Sequence, residues 1–276
     1  WYFAHLTARP LKREGDSLLE NRGFCPLGRE TAIQKVYWEN DWPYIVGGNK
    51  PSLEVEAPDL PEHKFELNYD IKDEFDSEVL NRHFNTLRIP FNEEIGSLTD
   101  RPGYLRLYGR ESLHSQFTQS LVARRWQSFE FVAETKVEYN PDSFQQMAGL
   151  ICHYNTRNWT SINVTWNEEK GRVIDIMACE RFVSRHPIQG NEIPVPEDVE
   201  AVYFRVDVDA KHYYFSYSFD GENFERIDVA FDSYKLSDDY IEQAGFFTGA
   251  FVGMHSMDVS GRRLPADFDY FRYEEK

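Results

Sequence analysis

Near the C-terminal end, Phe246, Phe247 and Phe251 are set around Thr248, Gly249 and Ala250, with Gly253 just beyond. Aromatic rings offer flat apolar faces to the C–H groups of a sugar, and the glycines let the backbone project a ring out of a loop. Arginine would complete such a site, because its rigid fork donates to hydroxyls. The same run, Phe246 to Val252, also reads as a buried strand. The residues alone leave both readings open.

Other chemistry is less well marked. Glycoside hydrolysis needs two carboxyl groups flanking one bond. Among 47 acidic residues no pair stands out, so no catalytic residue is assigned within this chain. There is no G-x-S-x-G elbow. His153, His186, His212 and His255 are scattered outside any metal-binding pattern and read as core or surface residues. Cys25, Cys152 and Cys179 are far apart and odd in number, which suits reduced thiols and a cytoplasmic location. Two acidic stretches, Asp70 to Asp76 and Asp267-Phe-Asp269, could supply oxygens to calcium if the first and last strands of a sheet meet. Solvated charge flanking a strand explains them equally well.

The elements that must carry these residues are mostly strands. Residues 1–48 show strand-like runs at Trp1–Leu6, Ala32–Trp38 and Asp41–Val46. This segment is too short to build a core, so Trp1, Phe3, Ile33, Val36 and Trp38 need a partner surface. Because Trp1 opens inside such a run, we read the sequence as the C-terminal portion of something longer. Residues 49–64 are polar and proline-dotted and read as a linker. Residues 65–276 form one domain of short alternating runs between turn signals, which predicts an all-β, two-sheet sandwich. Examples are Tyr104–Tyr108, Phe129–Ala133, Gly149–Tyr154 and Val202–Val208. Ser112–Trp126 fits a strand pair or a short helix, and Ser233–Gln243 a helical turn. The sequons at Asn158 and Asn163 read as ordinary strand residues.

The formal charge of −17 repels phosphate backbones, which argues against nucleic acid. No apolar run approaches a membrane span, and no secretory leader is visible at the start.

Several motifs together resemble the C-terminal part of glycoside hydrolase family 43 β-xylosidases. They are Gly23-Phe-Cys-Pro-Leu-Gly-Arg-Glu-Thr-Ala-Ile-Gln-Lys-Val-Tyr-Trp38 with Asp41-Trp-Pro, then Phe75-Asp-Ser, Leu87-Arg-Ile-Pro90 and Arg101-Pro-Gly-Tyr-Leu-Arg-Leu107. Phe117-Thr-Gln-Ser-Leu-Val-Ala-Arg-Arg-Trp126 and Ala266-Asp-Phe-Asp-Tyr-Phe271 complete the series. The resemblance implies the end of a five-bladed β-propeller over residues 1–48 and a concanavalin-like (jelly-roll) β-sandwich over 65–276.

It further implies inverting, exo-acting hydrolysis of β-1,4-xylo-oligosaccharides, with α-L-arabinofuranosidase activity in some relatives. The family's catalytic carboxylates would precede Trp1, so residues 1–276 alone are expected to be inactive. Arg29 resembles the propeller arginine that binds the terminal sugar. A sandwich loop that places a Phe at the pocket mouth resembles Gly245 to Met254, with Phe251 favoured over Phe246 and Phe247. No cofactor is needed for the chemistry. The family's sandwich suggests a structural Ca2+ held by Asp269 and Asp73, and a homo-oligomer, dimer or tetramer. The competing readings are a carbohydrate-binding module without catalysis and a purely structural assembly domain.

Overall fold

The computed structural model describes residues 1–12, 23–48, 51–61, 72–241 and 247–276. Its first sheet contains β1 (Tyr2–Thr7), β2 (Glu30–Glu39) and β3 (Trp42–Ile45), antiparallel and in that order. Asn40 and Asp41 turn β2 into β3, with φ of 51° and 59°. Positive φ at both central residues matches the twist of a two-residue hairpin, and Asn and Asp tolerate it. Trp1 packs edge-on against Trp38 at 5.8 Å between ring centroids. Even so, Trp1, Phe3, Ile33, Trp38 and Trp42 remain exposed.

Residues 51–61 carry no strand or helix. They are nonetheless tied along the first sheet. Buried Gln34 exchanges two hydrogen bonds with the Ser52 backbone, at 3.0 and 3.1 Å. The Tyr2 hydroxyl donates to the Glu56 carbonyl at 2.7 Å.

The rest is a sandwich of two antiparallel sheets. Its long strands are β4 (Leu105–Tyr108), β5 (Ser120–Arg125), β6 (Glu130–Glu138), β7 (Gln146–Asn155) and β8 (Asn158–Asn167). They continue with β9 (Gly171–Glu180), β10 (Ala201–Asp209), β11 (His212–Ser218), β12 (Phe251–Asp258) and β13 (Pro265–Glu275). One sheet runs β9-β8-β7-β12-β5, and the other runs β11-β10-β6-β13-β4. Short strands extend both, among them Lys72–Asp73, which pairs with β13 as expected of first and last strands.

Alternation fills the space between the sheets. In β10, Val202, Phe204, Val206 and Val208 point inward while their neighbours stay half-exposed. They meet Leu105, Leu107, Phe131, Leu150, Ile162, Phe215 and Phe268, all fully buried. Each such side chain contributes about 1.5–3 kcal/mol by leaving water. Strand β7 departs from alternation because both its faces are covered. Its outer face carries a second cluster of Leu113, Leu121, Ala123, Ile151, Trp159 and Cys179, with Phe251 packed against it.

Residues 112–118 form neither strand nor helix, and the ambiguous Ser112–Trp126 stretch yields only β5. The helical turn expected in Ser233–Gln243 is a 3-10 turn at Ser233–Lys235 followed by α1 (Asp238–Ile241). All three cysteines are free and buried. Asn158 and Asn163 are buried in β8. Among the described residues no helix is long and apolar enough to cross a membrane.

Candidate functional site

The segment Gly23–Arg29 leads into β2 but packs on the sandwich. Phe24 lies 4.9 Å from Tyr234 and 6.4 Å from Tyr240, centroid to centroid. The Cys25 N–H donates to Asp239 Oδ2 at 2.8 Å. Leu27 is 3% exposed and belongs to the main sandwich core. Ala250 N–H donates to the Pro26 carbonyl and Arg125 Nη2 donates to the Leu27 carbonyl, each at 2.6 Å. Gly28 has φ +73°, and a Cβ there would lie 2.7 Å from Arg125 Nη2, Gly249 N and Thr248 O. Only glycine satisfies both the left-handed backbone and the close approach.

This clamp delivers Arg29 to the junction. Its Nη2 donates to Asp238 Oδ2 at 2.7 Å and its Nη1 lies 3.4 Å from Oδ1. Asp238 comes from α1 on the sandwich side and is nearly buried. The Phe247 ring covers the guanidinium at 5.6 Å, a cation–π distance. That ring is 71% exposed, so it presents a bare apolar face beside the arginine.

The three phenylalanines therefore have different settings. Phe246 lies outside the described residues. Phe247 is on the loop before β12. Phe251 is the first residue of β12, paired with His153 on one side and Arg125 on the other. It packs on the outer cluster and against the Arg125 guanidinium at 5.9 Å. The loop expected over Gly245 to Met254 ends before Phe251, because β12 claims the rest.

Burial raises the Asp238 carboxyl above its usual range, and the neighbouring Asp239 charge adds to this, while Arg29 opposes it. Burial, reinforced by Asp239, pushes the Cys25 thiol up to about 12. Cys25 is therefore a neutral packing residue rather than a nucleophile.

The structure does not support the calcium expectation. Asp73 and Asp269 do come near one another, since Asp73 pairs opposite Phe271. However, Asp269 Oδ2 accepts from Lys136 Nζ at 2.7 Å, and Asp73 Oδ1 accepts the Phe75 N–H at 2.9 Å. Asp269 sits at a β-bulge, where the register of β13 on β6 shifts between Phe268 and Tyr270. Calcium takes about six to eight oxygen ligands, and an ammonium already neutralises the first of these acids. Among the described residues no group of three or more His, Cys, Asp or Glu is placed to hold a metal. Asp70 lies outside the described residues.

Of the tryptophans weighed as sugar platforms, Trp126 and Trp159 are core residues, and Trp38 and Trp42 belong to the first sheet. Trp166 lines a separate groove with Arg172 and Glu200. Sequence reasoning missed Asp238, Asp239 and Arg125. The Ser237-Asp-Asp run has the form of a helix start, but nothing local marks its acids as partners for residues some 210 positions earlier.

A two-sheet concanavalin-like sandwich clamped onto a small all-β sheet defines the class. Residues 72–274 match the family described as the β-xylosidase C-terminal concanavalin A-like domain. The β-xylosidase of Bacillus subtilis (strain 168) is 56% identical over 276 residues, covering 100% of this chain and 52% of that protein. The xylan 1,3-β-xylosidase of a Vibrio species is 38% identical over 278 residues, covering 100% of this chain and 51% of that protein. The crystal structure of xylan β-1,4-xylosidase from Bacillus halodurans C-125 superposes with a TM-score of 0.92 at 45% identity, covering 100% of this chain and 51% of that one. The chain belongs to the glycoside hydrolase family 43 group defined by the β-xylosidase C-terminal concanavalin A-like domain. It spans about half the length of the curated relatives it matches.

Proposed function

We propose that residues 1–276 serve an exo-acting β-xylosidase that hydrolyses β-1,4-xylo-oligosaccharides with inversion, and that cleavage of α-L-arabinofuranosides is a second activity. In this reading residues 1–48 end a catalytic propeller, 49–64 connect, and 65–276 are the sandwich. Arg29 binds hydroxyls of the terminal sugar, and Phe247 walls the mouth of its pocket. The observation that carries this is the exposed Phe247 ring lying over the Arg29 guanidinium, which joins the two halves at one point.

The names of the relatives support the substrate class, since they include β-1,4- and 1,3-xylosidases and xylosidase/arabinosidases. The catalytic carboxylates are assigned outside this chain. A homo-oligomer and a cytoplasmic, reducing setting complete the proposal, the latter supported by three buried free thiols. Calcium is left out, because Asp269 is already ion-paired.

The reading as a freestanding carbohydrate-binding module has less support, since no described sandwich tryptophan stands out as an exposed flat platform. The sandwich tryptophans described above are buried or line a side groove. Two assays test the proposal. The full-length protein should release xylose from xylobiose and lose that activity in Arg29→Ala, whereas residues 1–276 alone should bind and turn over neither xylobiose nor an aryl β-xyloside. Turnover by residues 1–276 would overturn the assignment of the carboxylates.

A further inference from the structure

We propose that Asp238 is a positioning residue for Arg29, so that a sandwich carboxylate sets the direction of the sugar-binding guanidinium across the junction. This rests on the reading of Arg29 given above. The backbone of Pro26–Gly28 is already fixed by Ala250, Arg125 and the steric cradle around Gly28. Asp239 is spent on the Cys25 N–H. None of these contacts orients the Arg29 side chain, which still has several rotatable bonds. Asp238 does so, with one oxygen at 2.7 Å from Nη2 and the other at 3.4 Å from Nη1.

The stoichiometry of donors supports the role. A guanidinium has five N–H groups in a fixed plane. An end-on carboxylate uses one on each terminal nitrogen. Phe247 covers one face of the plane. What remains is the in-plane edge, whose N–H groups have no other partner among the described residues and can meet vicinal hydroxyls of a sugar ring. Asp238 is nearly buried while Arg29 is partly exposed, so the anchored end faces protein and the open edge faces outward. Without the carboxylate the fork would swing and lose its registry with the sugar.

The test uses the full-length enzyme and an aryl β-xyloside. Asp238→Asn keeps the shape and removes the charge. If Asp238 positions Arg29, kcat/KM falls on the order of 10- to 100-fold with an unchanged melting temperature, and the loss is shared with Arg29→Ala. The double variant is then no worse than Arg29→Ala alone. Normal kcat/KM in Asp238→Asn, or losses that multiply in the double variant, would overturn the proposal. An intact kcat/KM in Arg29→Ala would instead overturn the sugar-binding reading of Arg29. Should Asp238→Asn fail to fold, Asp238→Glu, which keeps the charge and moves it by one methylene, replaces it with the same outcomes.

Discussion

Phe251 lies against the Arg125 guanidinium, with the ring centroid 5.9 Å from Cζ, and Arg125 in turn donates to the Leu27 carbonyl. An aromatic side chain in a sandwich strand thus steadies the arginine that grips the turn before Arg29. Phe247, four residues earlier, makes its contact with Arg29 itself. Two phenylalanines of one short run therefore serve opposite ends of the same junction.

Substituting them should have opposite signatures. Phe247→Ala, at a largely exposed position, is expected to leave thermal stability within about 0.5 kcal/mol, and to raise KM for xylobiose roughly five-fold or more. Phe251→Ala removes half-buried packing and should lower stability by about 2 kcal/mol. Thermal melts and steady-state kinetics on the two full-length variants separate them. A stable Phe251→Ala with a raised KM would reverse the assignment.

Gly28→Ala is expected to loosen the junction. It combines left-handed backbone strain of about 1–2 kcal/mol with contacts of 2.7 Å to three heavy atoms. Gly190→Ala is the control, because Gly190 also has positive φ but open space around it. Modification of Cys25 by a thiol reagent should accelerate in Gly28→Ala and not in Gly190→Ala.

Acid should weaken the sandwich through two histidines. Burial pushes His153 and His255 down to about 3 from the usual 6.5. Between those values the unfolded chain binds both protons and the folded chain neither, so stability falls as pH falls. The slope is up to about 1.4 kcal/mol per pH unit for each histidine. His186, 2.5 Å from Asp175, is held above its usual value by that hydrogen bond. Its contribution is present below pH 6.5 and is lost as pH rises through its folded value, which opposes the other two. Melting temperatures from about pH 4 to 7 should therefore rise with pH, and His255→Gln should flatten the curve. A flat wild-type profile would contradict this.

Calcium should be without effect on the sandwich. EDTA treatment followed by calcium addition is expected to leave the melting temperature unchanged, because Lys136 already occupies Asp269. A rise on adding calcium would restore the metal expectation.

The sandwich was legible in the sequence wherever one face of a strand meets the core and the other meets water, as in Val202–Val208. It was less legible where both faces are covered. Strands β7 and β8 bury nearly every residue, so alternation carries no signal there. The final strand hides a different obstacle. Ala266 and Phe268 are buried before the bulge, Phe271 and Tyr273 after it, so the inward parity changes at Asp269. The candidate site was half legible. Arg29 and the phenylalanine run stand out by motif, but the choice between Phe247 and Phe251 depends on where β12 begins. Asp238 depends on a pairing across 209 residues, which no local pattern encodes.

Leu27 precedes β2 in sequence yet fills a place in the sandwich interior. The seam between the two halves in space is thus not the seam along the chain. A protein cut at residue 65 would keep every sandwich strand among the described residues and still have a hole where Phe24, Cys25 and Leu27 belong. Anyone grafting this sandwich onto a different partner would have to transplant Gly23–Arg29 with it, as a plug that travels with the socket.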